Sequence, residues 1–138
     1  MDNLDLYLLA DENGIVLDEF NLRETPSLST MDDGQCYIAM NSTRLETMVD
    51  ERVHLAHELG HCMTGSFYNR YAALDIRGKH ERRANKWAFR HLVPLDELQK
   101  CFRHGLTEHW QLAEVFDVPC EFMQQALDYY RETRPLGA

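Results

Sequence analysis

The spacing of apolar residues changes near residue 47, and this restricts the fold more than any other feature of the chain. Before that point the apolar runs are short, alternating or β-branched, as in GIVLDEFNL at 14–22 and SLSTMDDGQCYIAMN at 27–41. A period of two is the mark of strands, and Asp33-Gly34 inside the second run is a strong hairpin turn. Beyond residue 47 the period is 3.6, giving helices over TMVDERVHLAHELGHCM (47–63), HERRANKWAFRHLV (80–93), PLDELQKCFRHG, LTEHWQLAEVF and PCEFMQQALDYYRE. Residues 64–79 read as a loop, and NLDLYLLADE at 3–12 reads as a leading helix with Asn3 as its cap, stopped by Asn13-Gly14. The predicted class is α+β in a single domain, 1–138. Residues 1–45 carry the helix and a small antiparallel sheet, 46–94 a pair of helices, and 95–138 a C-terminal helical segment.

Charge narrows the function. Asp and Glu number 23 against 14 Lys and Arg, a formal net charge of −9. Phosphate contacts need a basic surface, so direct nucleic-acid binding is not expected; this charge is compatible with a protein partner that itself binds DNA. No apolar run reaches the roughly 18 residues of a membrane span. The start, MDNLDLYLLADENG, lacks the basic opening and cleavage site of a signal peptide, which predicts a cytoplasmic protein. The four cysteines, Cys36, Cys62, Cys101 and Cys120, form no C-x-x-C pair and are expected as free thiols in a reducing compartment.

Within the first long helix stands HELGH, residues 57–61. Positions i and i+4 lie one above the other on a helix, so His57 and His61 can present two imidazoles to one metal ion. Glu58 then projects beside the metal, in reach of a bound water, as in a zincin. A metzincin needs glycine and histidine three and six places after His61, where this chain has Thr64 and Phe67. The remaining common third ligand is a carboxylate from a following helix. Glu81 is favoured over its rivals His80 and Asp75. Glu81, Ala84 and Ala88 share one face of the second helix, while Ala56 and Gly60 are small and four apart on the first. Small residues on facing helices let the axes approach, as a shared ion requires. Cys62 is turned off the ligand face by the helical rotation and is expected as a buried thiol.

The pair HELGHCMTGSFYN and HERRANKWAFRHLVP resembles the ImmA/IrrE family of zinc metallopeptidases, a gluzincin-like group. The family's second helix follows the pattern E-x-x-A-N-x-(aromatic or apolar)-A, matched here by Glu81, Ala84, Asn85, Trp87 and Ala88, then Leu92-Val93-Pro94. Arg83 departs from the pattern, since many members carry a second acid there. The resemblance runs over roughly 35–130, including the tail WQLAEVFDVPCEFMQQALDYY. It implies one Zn2+ ion held by His57, His61 and Glu81, with Glu58 as catalytic base activating the metal-bound water. It also implies a bacterial, phage or mobile-element regulator that cleaves a helix-turn-helix repressor. The alternative is a non-proteolytic zinc-containing regulator acting by binding its partner.

Other residues have wider readings. An oxyanion donor is sought among Tyr68, Tyr71, His54 and His80. Asn85 either orients a ligand or ties a loop to the helix. The substrate is expected as an extended strand along the sheet, at QCYIAMN. The tail has the rhythm of a helix-turn-helix, but Glu114, Asp117, Glu121 and Asp128 make it acidic, so Leu112, Phe116, Phe122 and Leu127 are read as core or a docking surface.

Overall fold

A computed structural model of the chain describes residues 1–21, 24–69 and 71–133. The expected end of the first strand at Leu22, Arg70 of the expected loop, and positions 134–138 of the C-terminal segment lie outside them. The class is α+β: helix α1 (Asn3–Glu12), strands β1 (Val16–Glu19), β2 (Ser27–Asp32) and β3 (Gln35–Met40), then α2 (Met48–Thr64), α3 (Leu74–Leu92), α4 (Leu95–Arg103), α5 (His109–Phe116) and α6 (Cys120–Thr133).

The sheet order is β1-β3-β2. The β2–β3 hairpin is antiparallel as expected, turning at Asp33-Gly34 with both residues at positive φ. β1 instead joins the far side of β3 in parallel, so the sheet is mixed. Alternation sets which face a residue takes, not which neighbour its strand finds, and the chain between β1 and β2 is long enough to cross the sheet. On β3, Cys36, Ile38 and Met40 face the core and Tyr37 faces outward. Helix α2 packs on β2 and β3 and against α1 and α3.

Caps account for the helix starts. Thr47 accepts a hydrogen bond from the Asp50 amide, with Asp50 and Glu51 in the first turn of α2. For α1 the cap is Asp2, in a reciprocal box with Asp5, rather than Asn3. Asn3 is buried because its amide donates to the Met48 carbonyl and its oxygen accepts from Arg52. Arg52, 6% exposed, also pairs with Asp117 at 3.1 Å and so ties α1 and α2 to the α5–α6 turn. α3 starts at Leu74, six residues before the apolar period becomes readable, because LDIRGK carries too few apolar residues to show it. Asp75 is therefore on the helix and not in the loop.

The predicted stripe of the tail is core: Leu112, Phe122 and Leu127 are buried in the same cluster as Leu55, Leu59 and Leu98, and Phe116 packs against it. Among the described residues, no helix is long and apolar enough to cross a membrane.

Candidate active site

The two central helices approach closely at Gly60. A Cβ there would lie 2.4 Å from the Ala84 carbonyl oxygen and 2.9 Å from its Cα, so only glycine fits. Ala56, Ala84 and Ala88 are fully buried beside it. The expected small-residue contact is thus present, and it brings Glu81 of α3 over His57 and His61.

The three expected ligands meet. His57 Nε2 lies 2.8 Å from one Glu81 oxygen and His61 Nε2 3.2 Å from the other. The donor atoms all lie within 4.8 Å of one another. His80 and Asp75 are not in this group; Asp75 is exposed on α3. Both imidazoles are oriented through their other nitrogen. Asn85 Oδ1 lies 2.7 Å from His57 Nδ1, and the Ser66 carbonyl oxygen bonds His61 Nδ1. Protons on both Nδ1 atoms leave the Nε2 lone pairs directed at the common point, the form a metal needs.

Of the two readings of Asn85, the contact with His57 is the one realised. The Ser66 contact depends on Gly65, which caps α2 in the left-handed region at φ 65 and returns the chain beneath His61. Two imidazoles and a carboxylate at this spacing suit zinc in type and number.

This group opens on a cleft of about 660 Å³. One wall is β2, through Ser27, Leu28 and Ser29; the others come from α2, the loop after it, α3 and, at Phe122 and Gln125, α6. Glu58, 6% exposed, lies at the cleft and accepts hydrogen bonds from Ser27 Oγ at 2.6 Å and Ser29 Oγ at 2.7 Å. Neither serine has a motif around it. The available signal was their i, i+2 spacing on a strand, which places both on one face.

The oxyanion candidates separate. Tyr68 lines the cleft and donates to Glu81 at 2.9 Å. Burial, with the Glu81 hydrogen bond second, raises its pKa and keeps the phenol protonated. His54 also lines the cleft, and burial lowers its pKa, which favours the neutral ring. Tyr71 is 78% exposed and does not line the cleft. His80 does not line it either; its ring stands 6.1 Å from that of Tyr68, with Nδ1 buried and unbonded.

Cys62 is off the ligand face as expected, but it is not a thiol: it forms a disulfide with Cys36 of β3. Cys101 and Cys120 are the free cysteines. Pairing follows from the packing of α2 on β3, a proximity that cysteine spacing along the chain does not carry.

The sequence matches the family described as the IrrE N-terminal-like domain over residues 8–128. The chain belongs to this peptidase family. No curated protein matches it. The matched span contains every residue of the cleft, and the family's metallopeptidase character agrees with the His57–His61–Glu81 group.

Proposed function

We propose that this family member is a zinc-dependent endopeptidase that cleaves a specific protein, a helix-turn-helix repressor being the expected substrate. The observation that carries the reading is the convergence of His57 Nε2, His61 Nε2 and the Glu81 carboxylate at a cleft that also holds Glu58. Zinc held there would supply Lewis-acid polarisation of the scissile carbonyl and a water of lowered pKa. Glu58 is then the group that takes the proton from the attacking water and returns it to the leaving amine. Tyr68, protonated and at the cleft, is the hydroxyl best placed to donate to the developing oxyanion. Asn85 and the Ser66 carbonyl hold the two imidazoles in the ligating tautomer.

The expected substrate strand at QCYIAMN requires correction. That segment is β3, paired on both sides, whereas β2 is the sheet edge that lines the cleft. An extended substrate would add to β2, with main-chain hydrogen bonds setting its register.

The test incubates zinc-loaded protein with a helix-turn-helix repressor encoded beside it and compares wild type with Glu58→Gln. Wild type should cleave the repressor at a single region. The variant should be slower by about 10²–10⁴-fold while retaining zinc by mass spectrometry. Binding without cleavage by either protein would instead make the chain a non-proteolytic regulator.

A further inference from the structure

Glu58 is held from outside its own helix. Ser27 and Ser29 occupy alternate positions of β2 opposite Met40 and Ile38, so both hydroxyls face α2 while Leu28, 51% exposed, faces away. One hydroxyl donates to each carboxylate oxygen, at 2.6 and 2.7 Å. We propose that Ser27 and Ser29 are positioning residues that clamp Glu58 in its working orientation and couple it to the strand along which substrate lies. This rests on the reading of Glu58 as the base.

The physical case has three parts. A glutamate side chain has several rotatable bonds, and a carboxylate at a cleft mouth would otherwise sample orientations facing water. A hydroxyl on each oxygen removes that freedom yet leaves each oxygen a further lone pair, so the group still accepts a proton. The clamp also stands on a closed frame. β2 pairs with β3, and Cys36 of β3 is bonded to Cys62 of α2, the helix that carries Glu58. The frame therefore fixes β2, and the two hydroxyls on it, relative to the helix that carries Glu58.

The test uses Ser27→Ala, Ser29→Ala, the double variant, and Ser29→Thr, which keeps the hydroxyl. Activity is read on the best-cleaved peptide of a quenched fluorogenic library, with zinc stoichiometry and circular dichroism confirming loaded, folded protein. The double variant should lose about 10–100-fold in kcat with KM changed less than about twofold, and Ser29→Thr should recover most of the Ser29→Ala loss. An unchanged kcat, or a loss found in KM or zinc content, overturns the clamp. A second measurement needs neither zinc nor turnover: double-mutant cycles of each serine with Glu58→Ala in urea unfolding of the metal-free protein. Coupling of about fivefold or more in the unfolding equilibrium constant supports the contact, and no coupling overturns it. If wild type cleaves no peptide or repressor, the peptidase reading falls, and the cycles alone decide whether the serines hold Glu58.

Discussion

Two helix pairs in this molecule are built on opposite rules. α2 and α3 meet through Gly60, Ala56, Ala84 and Ala88, with backbone almost touching backbone. α5 and α6 pack on each other and bury Leu112, Met123 and Leu127, large side chains, in the core. The small residues at the first contact set the spacing at which three polar donors converge. The second contributes mostly burial, reaching the cleft only with Phe122 and Gln125. Stability and site geometry are therefore carried by different contacts, and substitutions should separate them.

The largest effects come from the two interfaces themselves. Leu112→Ala should cost about 2–5 kcal/mol in urea unfolding by leaving a cavity, with the zinc affinity of the folded protein unchanged. Gly60→Ala should cost about 1–3 kcal/mol by forcing the helices apart, and it alone should also weaken zinc binding in a chelator competition. Equal zinc affinity in the two variants would break the comparison, because donor convergence would then not depend on helix spacing.

Single hydrogen bonds sharpen it. Asn85→Ala should weaken zinc binding about 10–100-fold by releasing the His57 ring, with little change in the unfolding midpoint of the metal-free protein. Tyr130→Phe removes a hydroxyl that donates to the Val93 carbonyl at 2.7 Å. It should cost about 1–2 kcal/mol and leave zinc titrations as in wild type.

The smallest effect is in pH. Burial depresses the pKa of His54 below its ordinary 6.5, so the unfolded chain takes up this proton first as pH falls. The contribution of a neutral His54 is complete above the unfolded value and is lost as pH drops through it toward the folded one. His54→Asn should remove that part of the slope, read as the wild-type minus variant difference in metal-free stability between neutral and mildly acid pH. An unchanged difference between neutral and mildly acid pH would mean that burial of His54 makes no such contribution.

Much of this was readable from residue order. The helices after residue 47 were legible because each buries one face and so repeats every 3.6 residues, and the β2–β3 hairpin because Asp33-Gly34 suits a tight turn. His57 and His61 were legible because both sit on one helix, four apart. Glu81 was reached through the alanines of its face, a local pattern that reports on packing. Where an element lacks such a pattern it is not legible: the polar first turns of α3, Asp75 among them, carry no apolar period.

What this sequence determined by itself was therefore whatever neighbours along the chain decide: periodicity, turns, and a two-histidine motif with a glutamate beside the first. The tertiary structure alone decided which distant residues serve that motif. β1 lies parallel to β3, Cys36 pairs with Cys62, Glu81 meets the two histidines, and two serines of β2 hold Glu58. No local pattern names these partners, because each contact joins elements far apart in the chain, and packing is set by the summed burial of both surfaces rather than by any one residue.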